Sequence, residues 1–123
     1  MKMVTSEKKD LFGVCPFATA QKILMGKWTF LIIYLLSKKT LRFNQLLRML
    51  PDLTQTTLTK QLRMMEDNGL VIRTVYTQIP PKVEYSLATL GEQFAPVLSA
   101  LETWGNQYIK YLSCKKTADE AAE

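Results

Sequence analysis

The chain has no histidine, only two cysteines (Cys15 and Cys114) and only five glycines in 123 residues. Each scarcity excludes a chemistry. Without an imidazole base, no Cys/His or Ser/His nucleophile pair can be assembled. Two cysteines near opposite ends of the chain give no closely spaced pair for a zinc site, which needs three or four ligands. The glycines do not gather into a phosphate-cradling loop. No pair of carboxylates stands out from a solvated face. No catalytic residue and no metal ligand is therefore assigned, and neither an enzyme nor a cofactor is expected. Long apolar runs are missing as well. The longest, Phe30 to Leu36, falls far below the ~20 residues of a membrane span. The opening MKMVTSEKKD is polar and has no signal-peptide core. The reading is a cytoplasmic chain with no membrane partner.

What is present suits one domain. The length allows a real core, and 47% of residues are hydrophobic, an ordinary fraction. The net charge of +5 is unevenly spread. From Lys27 to Lys82 there are nine Lys/Arg against three Asp/Glu, net +6. From Val83 to Leu112 there are three Glu against one Lys, net −2. Scattered solvated lysines would not segregate in this way, so a polyanion partner is favoured.

Residues 1–13 read as a flexible arm and 113–123 (SCKKTADEAAE) as a frayed tail. Between them, 14–112 form the domain. Pro16 suits the first position of a helix, which runs to about Met25 and is ended by Gly26. A second helix, Lys27 to Ser37, is apolar on most sides and should lie buried in the centre, with Trp28 in the core. Phe43, Leu46, Leu47 and Leu50 recur at helical spacing, and Pro51 breaks that third helix. Thr54 is a good N-cap for a fourth helix that Asn68-Gly69 stops. Val71 to Tyr76 and Val83 to Leu87 read as antiparallel strands around a loop stiffened by Pro80-Pro81. Thr89 and Glu92 form a capping box for a last helix, which Pro96 should bend.

Helix, tight turn, helix and two strands make a winged helix-turn-helix, mainly α with a small β-hairpin wing. At about 100° per residue, Leu58, Leu62 and Met65 share the core face of the fourth helix. Thr56, Thr59, Lys60 and Arg63 fall opposite, and Gln55 stands at the helix entrance. In such a motif the N-terminal part of this helix meets base edges in the major groove of double-stranded DNA. Gln55, Thr56, Thr59, Lys60 and Arg63 are the candidate reading residues. Lys39, Arg42 and Asn44, with Lys82 from the wing, are candidate phosphate contacts, which position the protein without specifying sequence. The rival reading is a winged-helix interaction module whose basic face docks an acidic protein. That module would show acidic or apolar outer residues on the fourth helix, and these are lacking here.

The last helix carries a long apolar stripe, from Leu90 through Leu98, Leu101, Trp104 and Tyr108 to Leu112. One small domain does not need so much apolar surface. A symmetric homodimer that packs this helix, with Leu98, Leu101, Trp104 and Tyr108, against a partner chain is the natural use; the alternative is that it folds back on its own first helix.

Together Cys15-Pro16, Gly26-Lys27-Trp28, Arg42-Phe43, Leu58-Thr59, Gln61-Leu62, Gly69-Leu70-Val71 and Pro80 to Leu87 resemble the HxlR-type winged helix-turn-helix regulators of bacteria. The likeness covers about residues 14–112. It implies a homodimer joined through the first and last helices, with Phe17 and Leu24 of the first helix in the interface, set on a pseudo-palindromic operator and acting as repressor or activator. Several members sense oxidants or electrophiles through the cysteine that matches Cys15, which implies a thiol sensor there; Cys114 would serve as the resolving thiol on the partner chain if the tail reaches back. A thiolate at a helix N-terminus is favoured by the helix dipole and free amides, which is compatible. The alternative is a small residue buried at a helix start and an incidental tail thiol. Gln55 to Lys60 is richer in threonine than the family pattern, so no operator sequence is carried over.

Overall fold

The computed structural model describes residues 10–122. Most of the expected N-terminal arm, residues 1–9, lies outside the described residues, as does residue 123. Residues 10–13, expected to belong to that arm, instead form a turn laid against the first helix. Asp10 Oδ1 accepts from the Phe12 N–H (2.9 Å), and the Gly13 N–H donates to Thr19 Oγ1 (2.8 Å).

Helix α1 (Pro16–Ile23) starts on Pro16 with Cys15 as its extended N-cap. It stops two residues before the expected Met25, at the C-cap Leu24. Gly26, at φ +131°, makes the turn, a backbone conformation that side chains with a Cβ rarely adopt. Helix α2 (Thr29–Lys38) follows. A two-residue strand β1 (Leu41–Arg42) leads into α3 (Phe43–Met49). The turn at residues 50–54 leads into α4 (Gln55–Asp67), which Gly69 at φ +76° terminates. Strands β2 (Val71–Tyr76) and β3 (Lys82–Leu87) pair antiparallel from Val71↔Leu87 to Tyr76↔Lys82. β1 adds to β3 through Leu41↔Tyr85 and Arg42↔Glu84, giving the order β1-β3-β2. The element order is that of a winged helix-turn-helix, mainly helical with a small antiparallel sheet.

A single apolar cluster unites these elements. Ile32, Ile33 and Leu36 of α2, Leu46 of α3, Leu58, Leu62 and Met65 of α4, and Leu70, Val71 and Tyr85 beside or within the sheet are all buried. Trp28 packs against this cluster from its edge.

Five expectations are corrected. The sheet has three strands rather than a bare hairpin, because β1 is too short to show an alternation of its own. Helix α2 is buried on one side only: Phe30, Leu31 and Tyr34 remain more than two-fifths exposed. They line a groove of about 590 Å³ between α2 and the last helix. The Thr89–Glu92 capping box does not form. Ala88, whose N–H donates to Leu70 O (2.9 Å), is the N-cap of the short helix α5 (Thr89–Glu92), and no side chain caps it. Pro96 divides the helix rather than bending it. Its ring lacks an N–H for the Glu92 carbonyl and would crowd it, so α5 ends at Glu92 and α6 (Ala95–Ala122) begins one residue before Pro96. Finally, the expected tail is helical. α6 continues through Ala122, since 106–122 contains no Gly or Pro and carries helix formers such as Lys115, Lys116, Ala118 and Glu120.

The α5 segment is locked to the sheet at Gly91, which is buried. A Cβ there would run into the Leu70 carbonyl, the acceptor of the Ala88 N–H, and would stand 3.0 Å from Leu87 Cδ2. Gly91→Ala should therefore lower stability by about 1–3 kcal/mol, as overpacking does. Urea unfolding followed by circular dichroism checks this, and an unchanged midpoint would refute the close packing.

Candidate nucleic-acid interface

The candidate reading face is built from the start of α4. Thr54 holds the helix N-terminus: its Oγ1 accepts from the Thr57 N–H (3.2 Å) and donates to Thr57 Oγ1 (2.9 Å). From that fixed end, Leu58, Leu62 and Met65 turn inward to 0–2% exposure. Gln55, Thr56, Lys60 and Arg63 are exposed and Thr59 is half-buried. The Thr59 hydroxyl donates to the Gln55 carbonyl (2.9 Å). Its hydrogen is committed to its own helix, which leaves an acceptor oxygen and a methyl group for any partner. Among the described residues, Lys60 and Arg63 form no ion pair.

These five residues do not form one flat row. Gln55, Thr59 and Arg63 line a cleft of about 450 Å³ between α4 and the sheet, together with Phe43, Glu66, Arg73, Val83 and Tyr85. Thr56 and Lys60 lie outside that cleft, further around the helix. Arg73 is a member the sequence reading missed. Strand alternation could have found it, because Arg73 pairs with buried Tyr85 and so shares the face of β2 that turns toward α4.

A second, polar cleft is lined by Thr40, Arg42, Asn44, Gln45, Arg48 and Glu84. It contains two of the expected phosphate contacts, Arg42 and Asn44, and adds Arg48, one helical turn beyond Asn44 on α3. The Gln45 carboxamide oxygen accepts from the Arg42 N–H (2.8 Å) and secures the start of α3. Lys39 is exposed at the C-cap of α2 and does not line this cleft. Successive residues of a strand face opposite sides, so Tyr85 and Glu84 place the two clefts on either side of β3.

The wing differs in character. Its tip, residues 77–81, is uncharged, and Ile79 is fully exposed. Lys82 sits at the root rather than the tip. Its ammonium lies 3.5 Å from Glu84 Oε2 and 4.9 Å from the centre of the Tyr76 ring. Hydrogen bonding to the Glu84 carboxylate, and then the charge of that carboxylate, hold the Tyr76 phenol above its ordinary pKa. Lys82 and Glu84 thus offset each other's charge at the wing root, beside the uncharged Tyr76.

The residues expected at a dimer interface divide into two sets. Phe17, Trp104 and Tyr108 are 85%, 62% and 46% exposed. Trp104, Tyr108 and Tyr111 form a row along α6 with ring centres 5.4 Å apart at each step, the first pair stacked and the second tilted at 56°. Leu24 and Leu98 instead pack against the edge of the core, and Leu101 lines the groove beside α2. Cys15 is half-buried at the N-cap of α1 and Cys114 is exposed on α6; both are free thiols. No helix among the described residues is long and apolar enough to cross a membrane. No group of metal-ligating side chains gathers among them.

Comparison with known proteins gives a consistent result. Residues 23–113 match the family model described as HxlR-like helix-turn-helix. An uncharacterised HTH-type transcriptional regulator of Bacillus subtilis (strain 168), YdeP, is 40% identical over 107 residues, covering 87% of this chain and 84% of that protein. The redox regulator HypR in its reduced form superposes with a TM-score of 0.76 at 37% identity, covering 81% of this chain and 99% of HypR. Its oxidised form gives 0.71 at 40% identity, covering 76% and 96%. The chain belongs to the HxlR-like helix-turn-helix family of transcriptional regulators.

Proposed function

We propose that the protein is a homodimeric regulator that binds a pseudo-palindromic site in double-stranded DNA, within the cytoplasm. The observation that carries this reading is the outward face of α4, where Gln55, Thr56, Lys60 and Arg63 are exposed beside the basic clefts. Arg63 or Lys60 suits guanine and Gln55 suits adenine, each worth about 1–3 kcal/mol of discrimination when bidentate. The Thr59 methyl suits the thymine methyl. Lys39, Arg42 and Asn44, joined by Arg48 and Arg73, serve the phosphates.

The surface of α6 supports the pairing of two copies. Val97, Trp104, Tyr108, Ile109, Tyr111 and Leu112 are all exposed along it, more apolar surface than a monomer of this size ordinarily shows. Trp104→Glu with Tyr108→Glu should convert the protein to a folded monomer in sedimentation velocity. A dimer that survives both substitutions would move the interface elsewhere.

Selection of bound duplexes followed by gel shift tests the DNA reading. If the dimer neutralises about six to eight phosphates, log K should fall against log salt with a slope near −5 to −7. Arg63→Ala should weaken the selected site about ten-fold, within the usual value of a base contact. A flat salt response, or equal affinity for every duplex, would overturn the assignment.

A second property is favoured by the position of Cys15 and by the likeness to HypR, a redox regulator solved in two oxidation states. Cys15 acts as a thiol sensor, with Cys114 of the partner as the resolving thiol. Diamide would take two electrons and two protons from the two thiols as the disulfide forms. Non-reducing electrophoresis should then show a linked dimer, absent in Cys15→Ser. A monomer band together with unchanged DNA affinity would exclude the switch.

A further inference from the structure

The inner face of α4 holds one polar side chain that the reading function does not use. Gln61 is 8% exposed, among Leu58, Leu62 and Met65. Its Nε2 donates to Thr29 Oγ1 across 2.8 Å, a bond that spans 32 residues of sequence. Thr29 is wholly buried at the first turn of α2, and its hydroxyl donates in turn to the Met25 carbonyl (3.4 Å). The α1–α2 junction closes around this pair. A Cβ on Gly26 would stand 2.9 Å from Gln61 Oε1, 3.2 Å from Gln61 Nε2 and 2.9 Å from Thr29 Oγ1.

Apolar contacts alone let a helix roll by small angles, because leucine and methionine repack at little cost. A buried hydrogen bond is directional and cannot be left unmade inside the protein. Gln61 adjoins Lys60 and stands two positions before Arg63 on the same helix. Any rotation of α4 that re-aims those side chains must break the Gln61–Thr29 bond or carry the junction along.

We infer that Gln61 is a positioning residue for DNA recognition: through Thr29 it keys the rotation of α4 to the α1–α2 junction, so that the placement of α1 is read out as the aim of Lys60 and Arg63. The inference rests on the DNA-binding reading above and adds the route by which the rest of the chain reaches that face.

The test uses Thr29, which is buried and touches no DNA. The full-length dimer is compared as Thr29→Val, Thr29→Ser, Gln61→Met and Gly26→Ala, each checked for folding by circular dichroism. The readouts are affinity for the selected duplex, affinity for an unrelated duplex, and the salt slope. Thr29→Val and Gln61→Met should each lose about ten-fold in affinity for the selected duplex, within the range of couplings through a shared network. The unrelated duplex and the salt slope should not change. Thr29→Ser keeps the hydroxyl and should bind like the unaltered protein. Thr29→Val carries the test if Gln61→Met does not fold; Gly26→Ala pushes on the same amide and, where it folds despite its +131° backbone, should repeat the Thr29→Val result. An unchanged ratio of selected to unrelated affinity in the folded variants would reduce Gln61 to a packing residue and overturn the inference. If the unaltered protein prefers no duplex, the DNA reading fails first, and this inference with it.

Discussion

Leu58, Leu62 and Met65 lie at 0–2% exposure in one cluster with Ile32, Ile33 and Leu36, and this seating fixes which way every candidate reading group points. Burial of three such side chains is worth on the order of 5–9 kcal/mol in gross terms. The N-cap bonds of Thr54 contribute about 1 kcal/mol by comparison. The cap therefore chooses where α4 begins, while the apolar edge chooses how it is rolled. Once both are set, helical geometry alone carries Thr56, Lys60 and Arg63 to the outside. Gln61, on the inner edge with a single directed bond, is the one member of that face whose partner cannot be exchanged for another apolar neighbour.

Much of this was legible in the sequence because the signals were local and periodic. The spacing of Leu58, Leu62 and Met65 identified the core face of α4, and Thr54 and Gly69 marked its ends, as found. The two long strands showed as β-branched or alternating runs. What was not legible depends on tertiary partners. β1 is a strand only because β3 lies beside it. Ala88 caps α5 only because Leu70 O holds its N–H. The composition of α2 could not show which of its apolar sides the sheet and α4 would take and which would face the groove beside α6. The outward residues of α4 were identified by angle, but their division between cleft and open face needed the position of the sheet.

Electrostatics separates the binding surface into two kinds of contact. The cations placed for a polyanion lie at the end of α2 and on β1, α3, α4 and β2, where Lys39, Arg42, Arg48, Lys60, Arg63 and Arg73 are exposed. The wing offers little charge, since Lys82 is balanced by Glu84 within the same strand. An uncharged tip carrying Ile79 beside two prolines is suited to shape and apolar contact with a groove wall rather than to phosphate attraction. Salt should therefore modulate what the helices do far more than what the wing does.

The remaining constraint is one of number. A single α4 presents about five side chains able to meet bases, two of them with limited freedom: Thr59 through its bond to Gln55 O, and Gln55 through its place at the helix entrance. The three that suit bidentate contact, Gln55, Lys60 and Arg63, at about 1–3 kcal/mol each and less the cost of ordering the long lysine and arginine side chains, cover only the lower part of the roughly 4–10 kcal/mol that a typical 10³–10⁷-fold discrimination represents. Twofold pairing doubles the number of base contacts without requiring any new residue. The chain carries the means in the same fold, because α6 runs for 28 residues, about 42 Å at 1.5 Å per residue, with its aromatic row facing away from its own core. In the dimer proposed above, the apolar surface left uncovered by one copy and the base contacts that one copy cannot supply would have a common remedy.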